Sequence, residues 1–181
     1  VVNHKIDNKL HITTKSNTHC DFIPQINEMI YHKEIQTDII ESITNDDEID
    51  DEIISKWQGS DANREYDMYF TASKLVFYSD SLGDFSANMY SITTATFTST
   101  TAWYHLVFVW DSSLPTTNRQ SIYVNGELQT TTAVGDITSI YNGIKSLNIG
   151  TDIGGVSPFD GTIDELSFYN TALTSTEILA L

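Results

Sequence analysis

Carboxylates are the most abundant ionisable groups in this chain: 25 Asp and Glu stand against 9 Lys and Arg, a net charge of −16 over 181 residues. Two carboxylates about 5 Å apart can cleave a glycosidic bond with retention. Several of them, joined by carbonyl oxygens, can hold a hard cation such as calcium. The densest run is Asn45–Glu52, NDDEIDDE. Its alternating oxygens suggest a calcium loop, but Ile49 and Ile53 interrupt the pattern and no central glycine is present, so a solvated acidic linker is the stronger reading. Cys20 is the single cysteine, which rules out an intrachain disulfide framework and a zinc-type cluster. It lies beside His19, but a nucleophile needs a positioned base and an oxyanion hole that adjacency does not supply. Aromatic rings offer a second chemistry, because the apolar C–H faces of pyranose rings pack on them. Trp103 and Trp110 are seven residues apart on one apolar strand, so they face opposite sides and one of them belongs to a core. Trp110, Tyr66, Tyr90 and Tyr141 are the candidate sugar-stacking residues, with Tyr78 in a similar setting. His105, inside the same strand, reads as a hydrogen-bonded structural residue.

Composition limits the partners. A field this negative repels phosphate backbones and anionic lipid, so neither nucleic acid nor membrane is expected. There is no 18-residue apolar run of the kind that spans a bilayer. The chain is long enough for one domain with a real core. It begins at Val1 without a signal pattern, and is expected to be a processed chain or a piece of a longer one.

Two compositional zones position these groups. All nine glycines lie at or beyond Gly59, and only Phe22 and Tyr31 among the aromatics precede Trp57. Residues 1–51 are therefore set apart as an atypical N-terminal segment, and 52–181 as the main domain. In the first zone Ile23, Ile26, Met29, Ile30, Ile39, Ile40 and Ile43 recur at helical steps, which predicts a helix over 24–43. A hairpin or single strand is expected within 4–14. The second zone alternates with period two. It predicts strands over 52–57, 64–71, 74–78, 87–92, 95–97, 103–111, 120–124, 127–131, 146–150 and 162–169. Asn125-Gly126 is a strong hairpin signal, since both residues tolerate positive φ. Thr174 and Glu177 form a capping box for a last helical turn. Short strands with glycine turns and no long helices between them imply an all-β, antiparallel two-sheet sandwich.

Four motifs occur in order: Trp103-Tyr104-His105-Leu106, then Tyr123-Val124-Asn125-Gly126, then Leu147-Asn148-Ile149-Gly150. Phe159–Glu165 (FDGTIDE) follows, running on to Tyr169, Ala172, Leu173, Thr174, Glu177 and Ile178. Together they resemble the laminin-G-like domains of the concanavalin A-like lectin/glucanase superfamily, over about residues 52–181. The resemblance implies a jelly roll and a calcium site taking Asp164, with Asp160 and Asp152 as helpers. The paired-acid motif E-x-D-x-x-E of the superfamily's glycanases does not occur, so no catalytic residues are expected. The family's opening strands are not recognisable in residues 1–50. Either that zone supplies them in another form, or a neighbouring subunit completes the sheet.

The expected function is a non-catalytic carbohydrate-binding or adhesion module, extracellular or on a virion surface. Its partners would be glycans or a neighbouring protein subunit. The alternative is a structural assembly protein, such as a phage fibre, decoration or filament subunit. In it the sandwich is a scaffold, and residues 1–50 make a homo-oligomer contact.

Overall fold

The computed structural model describes residues 2–6, 9–13, 34–40, 50–57, 64–84, 86–99, 101–152, 155 and 157–181, the first three segments as backbone only. Those three are strands β1 (Val2–Ile6), β2 (Lys9–Thr13) and β3 (Glu34–Ile40). Next come β4 (Asp51–Lys56), β5 (Tyr66–Thr71), β6 (Lys74–Asp80), β7 (Asn88–Thr93) and β8 (Trp103–Trp110). The remaining strands are β9 (Gln120–Val124), β10 (Glu127–Leu128), β11 (Thr131–Gly135), β12 (Asn148–Ile149) and β13 (Thr162–Phe168). Helix α1 (Ser175–Leu179) closes the fold. One sheet has seven strands, in the order β1-β2-β13-β3-β8-β9-β10. The other has six, in the order β11-β7-β6-β5-β4-β12. The chain is thus the antiparallel two-sheet sandwich that its patterning implies.

Turn chemistry sets the register where the sequence is most explicit. Asn125 and Gly126 take φ of 52° and 80°, and Val124 pairs with Glu127 across them. This is a two-residue turn whose twist matches that of the strands. The Asn125 Oδ1 also accepts a hydrogen bond from the His105 N–H at 2.9 Å, which ties the turn to β8. Ala72 and Ser73, at φ 45° and 61°, join β5 to β6 in the same way without a glycine. After Leu128 the chain leaves the seven-stranded sheet, and β11 pairs with β7 in the other. The strand expected over 127–131 is therefore two short strands in two sheets. Residues 95–97 are not a strand; Phe97 is instead a core residue packed edge-on to Tyr104 at 5.6 Å. A bulge in β13 falls at Glu165, φ 50°, between Asp164 and Ser167.

The helix expected over 24–43 lies partly outside the described residues. Where it is described, at Glu34–Ile40, the chain is extended and paired with β8 on one side and β13 on the other. Four of those seven residues (Ile35, Thr37, Ile39, Ile40) are β-branched, and their stiff χ1 favours extended backbone over helix. β1 pairs with β2, β2 with β13, and β3 with both β13 and β8. The N-terminal zone supplies strands to the chain's own sheet.

Between the sheets, Leu106, Phe108 and Trp110 of β8 pack on Ile54, Tyr66, Met68, Phe70, Leu75, Phe77 and Met89. Phe77 and Phe108 meet edge to face at 5.8 Å. Gln120 crosses this core: its amide donates to Ser79 Oγ at 2.8 Å and its carbonyl accepts from Ser91 Oγ at 2.9 Å. A buried amide satisfied at both ends fixes the sheets in one register. On the far side of the seven-stranded sheet, Val107, Val109 and Tyr123 are covered by Ile178, Ala172 and Leu173. The Thr174–Glu177 capping box starts the helix that does this. The outer face of the six-stranded sheet has no such helix among the described residues.

Candidate functional site

Strand alternation puts Tyr66, Met68 and Phe70 into the core and turns Asp67 and Tyr69 outward. Register then builds two ladders across the outer face. Val134, Tyr90, Tyr78, Asp67, Ser55 and Asn148 are successive neighbours in one. Thr132, Ile92, Val76, Tyr69 and Glu52 form the other. The face is therefore aromatic and aliphatic towards β7 and β11, and ionic towards β4 and β5. At the first end Tyr90 is half-buried and Val134 is exposed.

The ionic end is closed and tightly bonded. Arg64 lies between two rings, its guanidinium carbon 4.4 Å from the centroid of Trp57 and 4.4 Å from that of Tyr78. Its Nε donates to Asp67 Oδ2, and Asp67 is fully buried. A planar guanidinium suits both tasks, stacking and a directed ion pair. Tyr78 donates its hydroxyl to Asp80 at 3.2 Å, and the other Asp80 oxygen accepts the N–H groups of Leu82 and Gly83 at 2.8 and 2.6 Å. Lys56 donates to buried Glu65 at 2.7 Å, and Glu65 accepts the Gly143 N–H at 2.8 Å. The loop carrying Tyr141 is pinned to the sheet this way.

Glu52 joins this network without an opposing charge of its own. Burial, then the nearby Asp67 and Asp152, push its carboxyl up to about 10. Asp67 is also raised, by burial first, with Arg64 pulling the other way. Arg64 bonds Asp67, so Glu52 is the member that keeps its proton at neutral pH. Burial also raises the Tyr69 and Tyr78 hydroxyls. At the rim, Asp51 is pushed up to about 6 by burial, then by Asp160 and Asp50.

Of the expected sugar-stacking residues, Tyr90 lies on the outer face and Tyr141 is half-buried in the adjoining loop. Trp110 and Tyr66 do not present a ring to solvent: each is 2% exposed in the core. The seven-residue spacing of the two tryptophans held, with Trp110 inside and Trp103 46% exposed on the opposite side. For calcium, the expected donors point to three places. Asp152 is buried beside Glu52 and Asp67, Asp160 faces Asp51, and Asp164 accepts the Glu165 N–H at 2.9 Å in the other sheet. Among the described residues no group of three or more His, Cys, Asp or Glu converges. The three do not fit as ligands of one calcium. Arg64, Asp67 and Glu52 were not singled out from sequence. The signal was present in REYDMYFT, where Asp67 sits mid-strand three residues from Arg64.

The two antiparallel sheets, one of them capped by the C-terminal turn, define a lectin-type β-sandwich. The chain belongs to the concanavalin A-like lectin/glucanases superfamily, whose laminin-G-type model matches residues 42–179. No curated protein is similar enough to match. Among solved structures, the CBM40 of the Ruminococcus gnavus IT-sialidase bound to α2,3-sialyllactose is similar at a TM-score of 0.69. It is 16% identical, with 94% of this chain and 95% of that one aligned. A putative carbohydrate-binding protein from Bacteroides ovatus gives a TM-score of 0.63 at 18% identity, covering 89% of this chain and 43% of that one. The ligand-binding domain of botulinum neurotoxin serotype D in complex with N-acetylneuraminic acid gives 0.59 at 12%, covering 95% and 39%. At these identities the likeness is one of fold.

Proposed function

We propose that this protein is a non-catalytic carbohydrate-binding module of a secreted or virion-surface protein, and that it takes glycans on the outer face of the six-stranded sheet. The observation that carries this reading is the pair of ladders, which set Tyr90, Tyr69, Ile92 and Val134 beside a rigid polar network. A sugar needs both parts, a flat apolar surface for its C–H face and fixed polar groups for its hydroxyls. Carbohydrate-binding neighbours of the same fold support it. The two carboxylates in the ladders of this face, Glu52 and Asp67, are 4% and 0% exposed. Neither reaches a bound glycosidic oxygen, as an acid and a nucleophile must. Calcium is a separate proposal: the facing Asp51 and Asp160 are where a cation would relieve carboxylate repulsion.

The assembly reading has weaker support, since β1–β3 pair within this chain's own sheet. The test is titration of a glycan panel against wild type and Tyr90→Ala by calorimetry. Binding that the substitution weakens about tenfold, with the melting temperature unchanged, is expected. Absence of binding across the panel, with and without calcium, would overturn the reading.

A further inference from the structure

We infer that the outer face of the six-stranded sheet selects neutral saccharides and discriminates against those bearing a carboxylate. This rests on the glycan-binding reading above and names its ligand class. From β4 onward the sequence has five Lys and Arg: Lys56, Arg64, Lys74, Arg119 and Lys145. Three of them are bonded to carboxylates of the chain itself. Lys56 holds Glu65 at 2.7 Å, Arg119 holds Asp136 at 2.6 Å, and Arg64 holds Asp67. Recognition of a sugar carboxylate calls for the planar, bidentate fork of an arginine. The arginine on this face already spends its guanidinium on Asp67 and on two flanking rings. Lys74 lies at the β5–β6 turn, four residues along the strand from Tyr78, or about 13 Å at the usual rise of a strand.

Around the same face stand Glu52, Asp67, Asp80 and Asp152, with Asp51 and Asp160 at its rim. An anionic ring brought here meets carboxylates and no uncommitted guanidinium, because Arg64 and Arg119, the two arginines of the sequence, are both ion-paired, and Lys145 in the adjoining loop offers a point charge rather than a fork. A neutral ring meets aromatic and aliphatic surface without that repulsion. Asp67 is the specificity-determining residue, because it neutralises the arginine that would otherwise take the carboxylate.

The experiment uses matched glycans, each neutral core beside its sialylated form, with lactose against α2,3-sialyllactose as one pair. Dissociation constants are measured at low salt and at high salt. The neutral member should bind at least tenfold more tightly at low salt. The gap should narrow at high salt, because screening weakens the repulsion. Asp67→Asn should shift the sialylated-to-neutral affinity ratio about tenfold towards the sialylated form. Equal or tighter binding of the sialylated partners to wild type would overturn the inference and leave the glycan-binding reading standing. A folded Asp67→Asn variant with an unchanged ratio would overturn it too. If that variant does not fold, the wild-type ratios and their salt dependence decide. Binding of neither member of any pair would overturn the underlying reading, and this inference with it.

Discussion

Replacing Glu52 by Gln should stabilise the protein at alkaline pH and do little at acidic pH. The Glu52 carboxyl is 4% exposed, and burial first, then the nearby aspartates, push it up to about 10 from an ordinary 4.5. A group raised in the folded state favours folding fully below the unfolded value, and that contribution is lost as pH climbs towards the folded one. At pH 8 the unfolded chain has released this proton while the folded chain still holds it. The penalty grows by about 1.4 kcal/mol per pH unit, so between pH 5 and pH 8 it reaches about 4 kcal/mol at most. Glutamine has nearly the shape of a protonated glutamic acid and does not titrate. For a domain of this size, such a difference is roughly 10 °C in melting temperature at pH 8, shrinking towards zero at pH 5. Urea denaturation of both proteins at pH 5, 6.5 and 8 measures it directly. Titrations of Asp51 and Asp67 occur in both proteins and largely cancel in the difference. Parallel stability curves across this range would refute the argument, as would a Gln variant less stable than wild type at pH 8.

Gly126→Val should lower stability by about 1–3 kcal/mol in denaturant unfolding, because Gly126 sits at φ 80° and a Cβ there would lie 3.0 Å from Leu179 Cδ1. An unchanged midpoint would remove the turn from the account. Tyr90→Ala should leave stability within about 0.5 kcal/mol while weakening glycan binding, since Tyr90 lies outside the core cluster. If calcium binds at Asp51 and Asp160, it should raise the melting temperature by mass action, chelator should reverse the rise, and Asp160→Asn should abolish it. A melting temperature indifferent to calcium and chelator would end that proposal.

The parts of the fold that were legible in the sequence are those whose cause is local. Asn125-Gly126, the 66–80 hairpin and the Thr174–Glu177 box each depend on residues a few positions apart, and each stands where the pattern put it. The parts that were not legible depend on what a strand meets far along the chain. Isoleucines at three- and four-residue steps satisfy a helix as well as a strand. Only pairing with β8 and β13, some 65 and 125 positions away, decides for β3 over Glu34–Ile40. The tryptophans show the same limit: spacing says that Trp103 and Trp110 face apart, and only the second sheet says which one it covers. Calcium was inferred from a resemblance at one strand position, and three-dimensional placement separated its donors.

The candidate face was half legible for the same reason. Tyrosines announce themselves as possible platforms, so Tyr90 was found. A buried ion pair does not, because Arg64 and Asp67 read in sequence as ordinary alternation on an exposed strand. Yet these residues shape the face most. Breaking a buried pair by removing one partner typically costs several kcal/mol, whereas keeping it adds little net stability. Hydrophobic residues of similar volume would fill the same space as well. An ion pair kept between two rings, beside a carboxyl that must stay protonated, is poorly explained as a stabilising device. It instead holds the guanidinium flat between Trp57 and Tyr78 with its charge already cancelled, at the buried edge of the aromatic surface.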